Sequence, residues 1–148
     1  MGMSPQSGGS ISIEQHIDAP LEAVAAFIGD FRNAKEWMVG VESVEQVGES
    51  LYRLTLDSPI GKLEPEAKVV EHGPHSIRWT YTSAIEGGGR VDVSPGGEAS
   101  CVVSYTGEFR LKRKLLNRAA RMIGAERFAR RNGERSLERL KRLMEARR

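Results

Sequence analysis

The chain has 148 residues, 39% hydrophobic and 28% charged, with one cysteine and a formal net charge of +2. A chain of this length can bury its own core as one domain. A single cysteine excludes an internal disulfide and any cysteine-rich zinc site, so a reducing, cytoplasmic setting is expected. No apolar run approaches the roughly 20 residues of a membrane-spanning helix. The small net charge conceals two halves of opposite sign, −8 over residues 1–110 and +10 over residues 111–148. Attraction between a basic segment and the acidic remainder of the same fold is the plainer reading of that split, and it argues against a nucleic-acid partner. Residues 1–9 lack the basic patch and apolar stretch of a secretory signal and are expected to be a flexible leader to a single domain over 10–148.

The hydrophobic period then changes along the chain. Ile11, Ile13 and Ile17 alternate with Ser12, Glu14 and His16, the pattern of a half-buried strand with His16 on its exposed side. Asp18-Ala19-Pro20 stops it and starts a helix, with Asp18 as the expected acceptor for the first free amides and Pro20 in the first turn. Leu21, Val24, Phe27 and Ile28 form one stripe, Gly29-Asp30 breaks it, and a shorter helical piece from Phe31 to Trp37 follows.

After Gly40 the spacing predicts an antiparallel meander with strands at Val41–Val47, Leu51–Asp57, Lys62–Glu71, Ser76–Ser83, a short one at Arg90–Val93, and Ala99–Leu111. Gly87-Gly88-Gly89 is expected to be a hairpin turn. Ile77, Trp79 and Tyr81 share one face of their strand; Cys101, Val103, Tyr105 and Phe109 share one face of theirs. From Lys112 the period is helical. An unbroken helix to Arg148 would be about 55 Å long at ~1.5 Å per residue, so Gly124 is the expected interruption and Ala125–Glu145 the main packing helix.

The order is strand, two short helices, six more strands and a long terminal helix, an α+β pattern in which the helix is needed to cover the sheet. It resembles the helix-grip fold of the START-like (SRPBCC) superfamily, of the polyketide cyclase/dehydrase type. The resemblance is carried by Ile17-Asp18-Ala19-Pro20, by Phe31-Arg32-Asn33-Ala34-Lys35-Glu36-Trp37, by Tyr105-Thr106-Gly107-Glu108-Phe109 and by the closing Leu137-Glu138-Arg139-Leu140-Lys141. It implies a curved antiparallel sheet of about six or seven strands around the terminal helix, with an apolar cavity between them for a lipid, quinone or polyketide-like molecule. On that reading the pocket is lined by Trp37, Tyr52, Leu54, Val69, Trp79, Tyr81, Val91, Val103, Tyr105, Phe128, Asn132 and Ser136. The small residues Ala129, Gly133 and Ser136 turn towards the sheet.

Catalytic and metal constellations are thin, and no cofactor is expected. His72 and His75 sit in a Gly-Pro turn without a third ligand, and Cys101 lies on an apolar strand phase, where a buried thiol is inert. Cyclase or dehydrase chemistry would need an inward general base and an anion stabiliser. Tyr81 or Tyr105 with Arg78 or Arg90 are the candidates, but Arg78 and Glu108 alternate out of phase with the inward aromatics. Non-catalytic binding of a hydrophobic or amphipathic small molecule is therefore the leading expectation, with a cyclase/dehydrase-type enzyme as the alternative. A third reading is contact of the basic surface, Lys112, Arg113, Lys114, Arg118 and Arg121, with an anionic membrane or a nucleic acid.

Overall fold

The structure, a computed structural model, describes residues 8–58, 61–111 and 125–147. Strand β1 (Gly8–Ile17) leads into α1 (Leu21–Gly29), a 3-10 turn (Phe31–Asn33) and the short α2 (Ala34–Trp37). Strands β2 (Val41–Gln46), β3 (Leu51–Ser58), β4 (Gly61–Leu63), β5 (Glu66–Gly73), β6 (Ser76–Tyr81), β7 (Ile85–Gly97) and β8 (Ser100–Leu111) follow, and α3 (Ala125–Ala146) closes the described chain. The sheet runs β1-β8-β7-β6-β5-β3-β2, antiparallel throughout, with β4 added as a short partner of β3. It is a curled half-barrel that holds α3, as the element order implied. No described helix is long and apolar enough to cross a membrane.

Four local expectations are corrected. Asp18 does not cap α1: Pro20 stands at the cap position without a side-chain bond, and the Asp18 amide instead donates to Glu145 Oε2 at 2.8 Å. The predicted strand Lys62–Glu71 is split by Glu64-Pro65, because Pro65 has no amide to give; its carbonyl accepts from the Leu54 amide at 2.9 Å. The short strand expected at Arg90–Val93 is thirteen residues long. Gly87, Gly88 and Gly89 lie inside it, paired with β8, and the reversal falls earlier, at Thr82–Ala84, where Ala84 takes φ 68°.

The glycines in β7 have a packing reason. One row crosses the sheet through Val69, Trp79, Gly89, Gly107 and Ile11. A Cβ at Gly89 would lie 2.4 Å from Trp79 Cζ2, so the indole rests flat on the neighbouring strand only because no side chain stands there. Tyr105 leans along its own strand in the same way, its hydroxyl 3.1 Å from where a Gly107 Cβ would be. The two rings lie nearly parallel, 16° apart with centroids 6.4 Å apart, and Phe31 tilts onto Trp79 at 5.1 Å.

Helix α3 docks by its apolar stripe, with Leu137, Leu140 and Met144 buried among Ile17, Val24, Ile28, Val91 and Val103. Gly133 allows a close approach to β1, since a Cβ there would meet Ile13 Cδ1 at 2.5 Å. Polar contacts fix the rest of the helix. Ser136 Oγ accepts from the Val39 amide at 2.8 Å and donates to the Asn132 carbonyl at 2.6 Å. Lys141 donates to Glu145 at 2.5 Å, and the Arg147 guanidinium lies 5.2 Å from the Phe27 ring centre.

Candidate functional site

Between the concave side of the sheet and the N-terminal half of α3 lies a cavity of ≈ 170 Å³. Its floor is Trp79, Tyr81 and Tyr105 with Gly88 and Gly107; α3 contributes Phe128, Ala129, Asn132, Gly133 and Ser136. Phe31, Met38 and Val39 bring the post-α1 segment to one wall, and Ile11, Val41, Leu54, Leu56, Leu63, Ile85 and Phe109 complete the apolar lining. Three elements contribute a glycine to its lining, at Gly88, Gly107 and Gly133.

Of the twelve expected lining residues, Leu54, Trp79, Tyr81, Tyr105, Phe128, Asn132 and Ser136 are brought together around this space. Phe128 is 38% exposed and stands at the mouth. The hydroxyl of Ser136 is already spent on the backbone at both of its bonds, so it supports the wall and offers no free group to a guest.

The other five stand elsewhere. Val91 and Val103 are fully buried in the packed core, where Leu137 and Leu140 of α3 share the space. Trp37 is also buried and meets Tyr105 edge-on at 6.4 Å, so it backs the cavity instead of facing it. Tyr52 and Val69 border a different hollow of ≈ 830 Å³ against α1, whose rim carries Asp30, Arg32, Glu49, Glu71 and His72. Inward phase alone does not separate a lined cavity from filled core; the helix decides where along each strand the space is closed.

Several lining residues were missed. Leu56 follows Leu54 at period 2 and was legible. Gly88 was hidden by the turn reading of Gly87-Gly88-Gly89, and Phe31 by its place in a helical segment.

The polar groups facing this cavity have unusual surroundings. The Trp79 indole N–H is buried and has no hydrogen-bond partner, a state that costs about 1–3 kcal/mol while unmet. Burial makes the Tyr81 hydroxyl less acidic than an ordinary phenol, and the neighbouring Trp79 N–H partly opposes that shift. Tyr105 is pushed in the same direction, by burial first and then by Tyr81. Both phenols therefore stay protonated and can donate. The charged lining residues among those described are Asp57 and Glu108, both exposed; Asp57 pairs with Lys62 at 3.4 Å.

The remaining candidates take structural roles. His75 Nε2 lies 3.0 Å from Glu22 Oε2, and His72 packs against Gly29, so the two histidines hold the β5–β6 turn to α1. Arg78 and Arg90 bind Glu71 on the outer face, and Arg90 also binds Asp92. Cys101 is buried, and burial raises its thiol pKa. His16 is half exposed and lies 3.2 Å from Ser100 Oγ. Lys112, Arg113, Lys114, Arg118 and Arg121 lie outside the described residues.

Solved structures of similar shape are numerous. A protein of Deinococcus radiodurans is 21% identical, with a TM-score of 0.70 over 90% of this chain and 95% of that one. A START superfamily protein from Mycobacterium smegmatis is 13% identical, with a TM-score of 0.72 over 93% and 97%. The di-domain ARO/CYC StfQ from the steffimycin biosynthetic pathway is 12% identical, with a TM-score of 0.70 over 96% of this chain and 52% of that one. At these identities the likeness is one of fold. No curated protein matches the sequence. The sequence pattern of one family does match, over residues 9–145, and on that extent the chain belongs to the polyketide cyclase / dehydrase and lipid transport family, with the START-like fold.

Proposed function

We propose that the protein binds a small hydrophobic or amphipathic molecule between the sheet and α3, and holds it without chemical change. The observation that carries this reading is the apolar hollow of ≈ 170 Å³ walled by Trp79, Tyr105, Phe31 and Phe128. An engineered cavity of about 150 Å³ with a similar apolar lining takes up benzene, so a guest of one ring fits without rearrangement. Burial of such a ring removes apolar surface from water at about 25 cal/mol per Å².

Binding is favoured over cyclase or dehydrase catalysis by the state of the inward groups. A general base works best when its pKa lies near the working pH. Tyr81 and Tyr105 are instead shifted away from neutrality, and the carboxylates of Asp57 and Glu108 are solvated. A cytoplasmic role as a carrier or reservoir for a poorly soluble ring compound accords with such a site. The basic segment over 112–121 offers a second contact, with an anionic membrane, at which a carrier could load.

Thermal unfolding with a panel of one- and two-ring aromatics tests this. A guest at 100 times its Kd adds about 2.7 kcal/mol and raises Tm by several degrees. Ala129→Leu, which fills the hollow from α3, is expected to abolish the shift. If no aromatic stabilises the protein, or Ala129→Leu binds as the natural chain does, the reading is wrong.

A further inference from the structure

Resting on the reading above, we propose that the Phe31–Tyr52 ring pair limits the length of guest the protein accepts, standing as a partition between the hollow beside α3 and the larger hollow against α1. The two hollows lie along one face of the same strands. On β3, Tyr52 borders the larger and Leu54, the next residue on that face, the smaller. On β6, Ile77 and Trp79 divide in the same way. In the segment after α1, Asp30 and Arg32 border the larger hollow, while Phe31 between them borders the smaller. The boundary passes between neighbouring residues on each element, so it is no thicker than the rings that stand in it.

Phe31 is buried, its ring centre 5.0 Å from that of Tyr52 and 5.1 Å from that of Trp79. Its backbone is tied down on both sides. Asp30 Oδ1 accepts from the Arg32 amide at 3.1 Å, the Arg32 guanidinium donates to both Asp30 oxygens, and Asn33 Nδ2 donates to the Phe27 carbonyl at 3.0 Å. A ring held by its turn as well as by its neighbours acts as a wall and not as a swinging gate. Beyond it, the hollow of ≈ 830 Å³ has apolar sides at Val69 and Ile77 and a charged rim at Asp30, Arg32, Glu49 and Glu71. An alkyl chain that passed the partition would gain those sides, at about fourfold in affinity for each methylene buried.

The test uses the full chain with two probes, toluene and hexylbenzene, whose dissociation constants are read by titration in ¹H–¹⁵N spectra. In the natural chain the methyl end of hexylbenzene is expected to give no NOE to the methyl groups of Val69 or Ile77. In Tyr52→Ala and in the double variant Phe31→Leu/Tyr52→Ala those NOEs appear, and the ratio of the two constants moves in favour of hexylbenzene. In the double variant it moves by at least about tenfold, the burial of two or three methylenes. Tyr52→Phe keeps the ring and keeps the natural ratio. Tyr52 is only partly buried, so Tyr52→Ala still reports where the double variant does not fold. A ratio unchanged in every variant that folds, a ratio moved as far by Tyr52→Phe, or NOEs to Val69 and Ile77 already present in the natural chain overturns the partition and leaves the site beside α3 standing. Failure of both probes to bind the natural chain overturns the site itself and this inference with it.

Discussion

Tyr105 carries more of the account than any other side chain. It stacks on Trp79, meets Trp37 edge-on and faces the hollow, and its hydroxyl sits over a glycine. Burial weakens its acidity. The unfolded chain releases the phenol proton near pH 10, whereas the folded chain keeps it to a higher pH. The stability this supplies is therefore complete below about pH 10 and is lost as pH rises beyond it. Tyr105→Phe has no proton to lose. Its stability, followed by urea titration from pH 8 to 11, is expected to fall less steeply at the alkaline end than that of the natural chain. Equal slopes would mean that the hydroxyl is solvated.

At the scale of elements, β7 is the decisive strand. Its glycines let Trp79 lie down across the sheet, and the edge of β6 comes so close that a Cβ at Gly88 would be 2.0 Å from the Trp79 carbonyl oxygen. Backbone atoms cannot turn aside as a side chain can. Gly88→Ala is expected to cost more than the ~1–3 kcal/mol of ordinary overpacking, measured as a lower urea midpoint. An unchanged midpoint would refute the close approach.

The same strand shows what could be read in advance. Alternation in β1, β6 and β8 and the 3.6-residue stripe of α3 were legible because half-buried elements write their buried face into the sequence. A glycine run writes no face, so β7 read as a turn. The division of Val91 and Val103 from Tyr105 was also invisible, since it depends on where α3 crosses the strands. Of the cavity, the sequence revealed the aromatic floor and the small residues of α3, but not the wall from Phe31, Met38 and Val39, which is set by how the 3-10 turn enters the sheet.

For the whole molecule, the terminal helix and the sheet are halves of one grip. Glu145 takes the amide after β1, Ser136 takes the amide after α2, and Leu137, Leu140 and Met144 fill the core between. These contacts fix one end of α3 against the sheet. The other end, around Phe128 and Ala129, spans the hollow instead of filling it. The site follows from that uneven seating.

A crystal held under xenon pressure tests this most directly, because xenon enters apolar voids without needing a recognition group. Anomalous density is expected over the Trp79 and Tyr105 rings, facing Ala129. A map with no xenon there, or with side chains packed through that space, would contradict the account.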